Sequence, residues 1–216
     1  MIAIIDYGMG NLNSVAKALV HVAPDANVKI VSTASEIKSA DRIVLPGQAA
    51  MPDTMRALRD SGLLEATIAA VKTKPMMGMC LGLQMLFDHS EEGDTPCLGL
   101  FRGRVVRFPS PHADESGAPL KVPHMGWNAV SFSNAIPAAQ KGHFLWNIVP
   151  ENSAFYFANS YFCVPENEAG VAGTANYPNP FCVAYAQDNV FAVQFHPEKS
   201  SHAGLQLLKN FTDWNP

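Results

Sequence analysis

The stretch Gly78-Met79-Cys80-Leu81-Gly82-Leu83-Gln84 constrains this chain more than any other. It follows a short apolar run, Pro75 to Met79, and opens a helix-like segment, Leu81 to Phe87, so Cys80 stands where a strand turns sharply into a helix. Glycines two residues to either side give the G-x-nucleophile-x-G spacing of an elbow, in which small neighbours let a strained turn push one side chain outward. Backbone N–H groups and the positive end of a helix dipole then favour the thiolate, the nucleophilic form of cysteine. A buried apolar cysteine is an equally ordinary reading of the same spacing.

Upstream of the elbow, strand and helix patterns alternate. Ile2 to Ile5 is a continuous apolar run, and Asn11 to Val22 carries Leu12, Val15, Ala16 and Leu19 at helical spacing. The loop between them, Asp6-Tyr7-Gly8-Met9-Gly10-Asn11, fails the dinucleotide-binding pattern because Asn13 occupies the third glycine position. It reads as a tight turn with Asn11 as helix cap. Val28 to Val31 is a second strand, Thr33 with Glu36 resembles a capping box, and Arg42 to Leu45 is a third strand closed by Pro46-Gly47. Helical segments Thr54 to Arg59 and Leu63 to Lys72 lead to the fourth strand, Met76 to Met79. Such alternation implies parallel pairing with helices on both faces, and reactive groups gather beyond the carboxyl ends of the strands, where Gly47 and Cys80 lie.

After Phe87 the pattern loosens. Glu91, Glu92 and Gly93 read as a polar turn, and Pro109 to Pro119 as an exposed loop. Strands are expected at Gly103 to Phe108, Asn128 to Phe132, Ala154 to Phe157, Phe181 to Gln187 and Val190 to Phe195, with Gln187-Asp188-Asn189 as a hairpin turn. Ser201 to Phe211 is an amphipathic helix. The expected fold is therefore α/β: a single domain over residues 1–216, a largely parallel central sheet with helices on both faces, and an additional antiparallel sheet region in the C-terminal half.

Composition excludes several function classes. With 216 residues and 48% hydrophobic content the chain can bury a large core in one domain. A net charge of −4 and a charged fraction of 16% show no basic patch, so no nucleic-acid partner is expected. No apolar run reaches membrane-span length and the N-terminus lacks a basic leader segment, so the expected location is cytoplasmic, with no membrane association. Cys80, Cys97, Cys163 and Cys182 show no metal-ligand spacing, so neither zinc nor a structural disulfide is expected, and no metal or other cofactor is called for.

A second constellation stands near the C-terminus, Gln194-Phe195-His196-Pro197-Glu198, directly after an apolar strand. In extended chain the side chains at i and i+2 share a face, so Glu198 is free to orient the His196 imidazole as a base for Cys80. A histidine after a strand is by itself more often structural. The pairing with an elbow cysteine is what turns it into a candidate for thiolate attack on a carbonyl.

The elbow G-M-C-L-G-L-Q and the distant F-H-P-E resemble the class I glutamine amidotransferases, whose Cys-His-Glu triad hydrolyses the glutamine side-chain amide to glutamate and ammonia. Three further stretches, I-D-Y-G-M-G-N-L-N-S-V from Ile4, L-F-D-H-S-E-E-G from Leu86 and V-P-H-M-G-W-N from Val122, are similar to the branch that forms glutaminase subunits of imidazole glycerol phosphate synthases, in histidine biosynthesis. The resemblance implies Cys80 as nucleophile, His196 as base and later acid, and Glu198 as orienter. It implies Gln84 and Glu92 as holders of L-glutamine, although on the residues alone a solvated helix end and a turn describe them better. The oxyanion needs two donors: the Leu81 N–H by elbow geometry, and by resemblance one from the loop at Gly47 and Gln48. The family reads P-G-V-G there, whereas this chain has Pro46-Gly47-Gln48-Ala49, and alanine visits positive φ less readily than glycine. Asn159 stands where the family has histidine, beside Ser160 and Tyr161, whose backbone contacts to substrate the resemblance also implies.

The chain has no room for the eight strand–helix repeats of a synthase barrel, so the resemblance implies a separate (β/α)8 cyclase subunit that receives the ammonia in a heterodimer. Met125, Trp127, Asn128 and Lys199 sit in motifs that look like interface positions, with core packing an equal reading for Trp127. Two alternatives stand beside this one: another cysteine hydrolase on the same fold, or a catalytically weak binding subunit of the synthase.

Overall fold

The computed structural model describes residues 1–109, 112–113, 117–132 and 143–216, with His112 described in its backbone only. The first half is built as the alternation requires. Strands β1 (Ile2–Ile5), β2 (Val28–Val31), β3 (Arg42–Gly47) and β4 (Met76–Cys80) are connected through helices α1 (Leu12–Val22), α2 (Ala34–Ser39), α3 (Met51–Asp60) and α4 (Leu64–Val71). A short helix α5 (Leu81–Gln84) follows the elbow. Two small strands, β5 (His89–Ser90) and β6 (Thr95–Pro96), then lead to β7 (Gly103–Arg107). Beyond it come the hairpin β8 (His112–Ala113) and β9 (Pro119–Leu120), and strands β10 (His124–Ala129) and β11 (Ala154–Asn159). Strands β12 (Tyr161–Pro165), β13 (Val171–Asn176), β14 (Pro180–Gln187) and β15 (Val190–Val193) precede the closing helix α6 (Ser201–Asp213).

Among the described residues the main sheet runs β2-β1-β3-β4-β15-β14-β12-β7-β5-β6, with β13 added on β14. The pairs β2–β1, β1–β3, β3–β4 and β4–β15 are parallel, and β15–β14, β14–β12 and β12–β7 are antiparallel. Strands β10 and β11 form a separate antiparallel pair. The expected α/β class, with its antiparallel extension in the second half, is what the chain adopts.

Side chains alternate between two cores because the strand period is two. Ile2 and Ile4 of β1, Val44 of β3, Met77 and Met79 of β4 and Phe191 and Val193 of β15 face one cluster with α1 and α6. Ala3 and Ile5, Ile43 and Leu45, Met76, and Val190 and Ala192 face the other with α2, α3 and α4. Central parallel strands are therefore apolar on both faces, which is why they read as continuous runs rather than alternation.

Several boundaries differ from expectation. The strand expected at Asn128–Phe132 is β10, His124–Ala129; its Gly126 and His124 mask the period-two signal, and pairing with β11 from His124↔Asn159 to Ala129↔Ala154 sets its limits. The helix expected to Phe87 stops at Gln84, because the carbonyls of Leu83 and Gln84 accept i+3 bonds from Leu86 and Phe87 in a tighter turn. Strand β13 escapes a propensity reading because Ala172, Gly173, Ala175 and Asn176 are weak strand formers; β12 was not expected either, although its Tyr161, Phe162 and Val164 favour strand. Thr33 does cap α2, accepting from the Glu36 N–H at 3.4 Å and donating to its carboxylate at 2.6 Å, whereas Asn11 occupies the N-cap position of α1 without a side-chain cap bond. His143 caps a 3-10 turn at Phe144–Trp146 through its Nδ1, which accepts from the Leu145 N–H at 3.2 Å. Of the expected loop Pro109–Pro119, residues 110–111 and 114–116 lie outside the described residues.

Candidate active site

Cys80 ends β4 and begins α5 with φ 55° and ψ −111°, a left-handed backbone that a non-glycine residue adopts only under constraint. The constraint is close packing on both flanks. A Cβ on Gly82 would lie 1.9 Å from the Leu45 carbonyl oxygen, and one on Gly78 2.8 Å from the Gly82 carbonyl oxygen. Neither position admits a side chain, so α5 presses against β3 and turns the sulfur outward at the strand end. A Cβ on Gly47 would fall 2.7 Å from Leu81 Cβ, so the β3 end also reaches the elbow as bare backbone.

Register then assembles the site. Gly47 is the partner of Cys80 across β3–β4, and Val193 the partner of Met79 across β4–β15, so residues just beyond β15 emerge beside the sulfur. Those residues are Gln194 to Lys199. His196 Nδ1 lies 3.0 Å from Glu198 Oε1, with both side chains buried. The approach differs in detail from an extended chain: Pro197–Lys199 is a 3-10 turn, and the turn brings the carboxylate to the imidazole. Strand β11 anchors that turn, since the His196 N–H donates to Tyr156 O at 2.9 Å and the Ser200 hydroxyl accepts from the Tyr156 N–H at 2.9 Å while donating to His196 O at 2.6 Å.

Burial pulls the His196 pKa down, while hydrogen bonds to Cys80 and Glu198 and the charges of both push it up, with a net rise from 6.5 to about 10. The imidazole is thus held as a cation between the Cys80 sulfur and the Glu198 carboxyl group. Tyr7, in the loop after β1, is also held protonated, by burial first and then by the nearby Cys80, and its hydroxyl donates to Pro46 O at 2.7 Å under the β3 end.

A cavity of about 240 Å³ opens over the sulfur. Gln48, Ala49 and Leu81 from the elbow region, Ser160 and Tyr161 from the β11–β12 connection, and Glu92, His196 and Lys199 all line it. Gln84 lines it too and is buried, not a solvated helix end; its Nε2 donates to Tyr161 O at 3.0 Å and to Gln194 Oε1 at 2.8 Å. Glu92 is partly buried and accepts from the Met51 N–H at 2.7 Å, which places a carboxylate at the start of α3 and at the cavity edge. Asn159 donates through its Nδ2 to Tyr161 O at 2.9 Å, so two side-chain donors hold the Tyr161 carbonyl.

The expected interface residues divide. Met125 is 66% and Trp127 54% exposed, so core packing does not describe the tryptophan. Trp127 meets Tyr156 edge-on at 6.0 Å, and Lys199 Nζ lies 6.0 Å from the same Tyr156 ring, so these side chains form one surface beside the cavity mouth. Asn128 is half-buried, its Nδ2 donating to Asn176 O at 2.9 Å. Among the described residues no group of three His, Cys, Asp or Glu side chains is gathered in a way that would hold a metal ion.

Sequence reasoning overlooked Gln194, which stands two residues before His196 in the segment that follows β15, and whose Nε2 is 3.8 Å from Cys80 Sγ. The signal was present: a lone amide at the end of an apolar strand, in phase with the histidine.

The sequence profile described as glutamine amidotransferase class-I matches residues 3–214. The chain is 52% identical over its full length, and 97% of the relative's, to imidazole glycerol phosphate synthase subunit HisH of Dechloromonas aromatica. To the protein of the same description from Nitrosospira multiformis it is 54% identical, over 98% of that relative. Among solved structures it resembles the glutaminase domain of Trypanosoma brucei CTPS with bound acivicin, with a TM-score of 0.64 at 16% identity over 100% of this chain and 94% of that one. A structure described as a glutamine amidotransferase gives a TM-score of 0.69 at 15% identity over 98% and 100% of the two chains. At those identities the structural likeness speaks for the fold.

Two measurements check this geometry. Ala49 has φ 136°, a glycine-favoured conformation whose strain is about 1–3 kcal/mol, against roughly 0.5–1 kcal/mol for glycine's extra unfolded-state entropy. Ala49→Gly is therefore expected to stabilise the protein by about 1 kcal/mol, read as a higher denaturant midpoint; an unchanged or lower midpoint contradicts the strain. A raised histidine contributes stability that is complete below its unfolded value of 6.5 and lost as pH climbs through about 10. NMR titration is expected to find the His196 imidazole still protonated at about pH 8, and its midpoint lower by at least about one unit in Cys80→Ala, where a principal raising partner is gone.

Proposed function

Because the chain belongs to the class I glutamine amidotransferase family, we propose that it is the glutaminase subunit of an imidazole glycerol phosphate synthase and hydrolyses L-glutamine through Cys80, His196 and Glu198. The observation that carries this is the buried His196–Glu198 pair, 3.0 Å apart, emerging beside a strained elbow cysteine over a cavity of about 240 Å³. The full-length identity of 52% and 54% to two HisH subunits supports the subunit assignment.

In this reading the Cys80 thiolate attacks the carboxamide carbon of glutamine. Negative charge develops on the former carbonyl oxygen, and the Leu81 N–H with a donor from Gly47–Gln48 stabilises it. His196, held as the cation, gives its proton to the departing nitrogen; C–N cleavage releases ammonia and leaves a γ-glutamyl thioester on sulfur. Neutral His196 next takes a proton from water, which attacks the thioester and frees glutamate, regenerating the thiolate. Glu198 keeps the imidazole in place throughout.

Substrate recognition follows from what the lining groups have left to offer. The Gln84 amide nitrogen is committed to Tyr161 O and Gln194, so its oxygen is the group available to a substrate donor. Glu92 supplies the negative charge suited to the α-ammonium, and Ser160 and Tyr161 supply backbone. Ammonia at neutral pH is mostly protonated and a poor nucleophile, so a partner must receive it directly. We assign that role to a (β/α)8 cyclase subunit in a heterodimer, which would make the assembly a lyase, docked over Met125, Trp127 and Lys199 at the cavity mouth. A cytoplasmic location fits this biosynthetic role.

Glutamate release from glutamine, measured with and without a cyclase subunit and its nucleotide ligand, tests the assignment. Release is expected with glutamine but not asparagine or a chromogenic ester, to rise with the cyclase, and to fall by at least about a thousandfold in Cys80→Ala. Equal release by Cys80→Ala would refute the catalytic assignment. Failure of the cyclase to stimulate release at any nucleotide concentration would refute the subunit assignment.

A further inference from the structure

Gln194 follows β15, an apolar strand, and is fully buried, although it carries a primary amide. A buried amide without partners is costly, so the fate of each of its polar groups is informative. Its backbone N–H donates to Val183 O at 2.8 Å. Its Oε1 accepts from Gln84 Nε2 at 2.8 Å, and its Nε2 donates to Cys80 Sγ at 3.8 Å. Gln84 gives its other amide hydrogen to Tyr161 O at 3.0 Å. Since both Gln84 hydrogens go to acceptors, the oxygen of Gln194 has to face Gln84, and its N–H is left for the sulfur. The direction of that donor is thus dictated by the network.

We propose that Gln194 is a positioning residue that fixes the Cys80 sulfur for attack and stabilises its thiolate, with Gln84 locking the direction of the amide. The inference rests on Cys80 being the nucleophile. Cys80 is only 7% exposed, on the floor of the cavity, so water solvates a thiolate there poorly and protein donors supply much of what bulk water would. The titratable groups around it are His196 with Glu198 behind it, Tyr7 from the loop after β1, and Cys163 from β12. His196 surrenders its proton during the reaction. Gln194 cannot, so its N–H remains on the sulfur when the histidine has become neutral and the thioester is about to be cleaved. Cys80 is the leaving group of that second step, and a permanent donor favours its departure.

The test is the pH dependence of Cys80 alkylation by iodoacetamide, followed on the Cys80 peptide by mass spectrometry, in the parent, Gln194→Met and Gln84→Leu. Methionine keeps the length and volume of glutamine without the donor. The alkylation midpoint is expected to rise by about one pH unit in Gln194→Met, a tenfold change in thiolate fraction, and by less in the same direction in Gln84→Leu. With glutamine, Gln194→Met is expected to lose about tenfold in kcat while KM changes less than about twofold. A Gln194→Met protein with a lower unfolding temperature but an unmoved alkylation midpoint overturns the proposal; if that variant does not fold, Gln84→Leu decides by the same criterion. Alkylation requires no glutamine. A parent that released no glutamate would therefore refute the glutaminase reading, while the midpoint shift would still decide the role of Gln194.

Discussion

Strand β4 is held on both sides by parallel neighbours, with Gly47 opposite Cys80 on β3 and Val193 opposite Met79 on β15. This register is what the site depends on, because a parallel ladder brings all three carboxyl ends to one level. From that level β3 supplies the backbone of Gly47 and Gln48, β4 the sulfur, and β15 the amide and imidazole that follow it. A one-residue slip of β15 would send the Gln194 and His196 side chains to the opposite face. Apolar packing on both faces of the sheet makes such a slip expensive, since Phe191 and Val193 would exchange cores with Val190 and Ala192.

The elbow adds a second constraint, bare backbone at points of contact. Gly82 against Leu45 O and Gly47 against Leu81 Cβ leave no room for a methyl group, and the resulting close approach holds Cys80 in its left-handed conformation. Ala49 belongs to the same loop as Gly47 but differs in kind: it has φ 136° despite its side chain. The loop that faces the cavity is therefore a strained segment next to a rigid one. The polar groups around the sulfur extend this rigidity outward, as Asn159 and Gln84 hold Tyr161 O and Gln84 holds Gln194.

Much of this was legible in the residues. Buried parallel strands are short apolar runs, and the runs before Asp6, Pro46 and Cys80 announced three of them together with their functional ends. The i, i+2 relation of His196 and Glu198 also identified a real pair, although a 3-10 turn rather than an extended chain brings them together. What was hidden depends on contacts distant in sequence. Strand β13 is visible only through its pairing with β14, because Gly173 and Ala175 have little strand propensity of their own. The burial of Gln84 comes from β12 and the stretch after β15, 77 and 110 residues away along the chain. Asn159 read as a departure from pattern, yet in the fold it pins the segment that lines the cavity.

In the proposed chemistry the Cys80 sulfur becomes covalently bonded to the substrate's acyl group. Acid quenching during turnover of glutamine, followed by mass spectrometry of the cysteine peptides, tests that step most directly. The predicted result is a γ-glutamyl thioester on the Cys80 peptide and none on those containing Cys97, Cys163 or Cys182. Sustained glutamate production with no adduct at Cys80, or with the adduct on another cysteine, would contradict it.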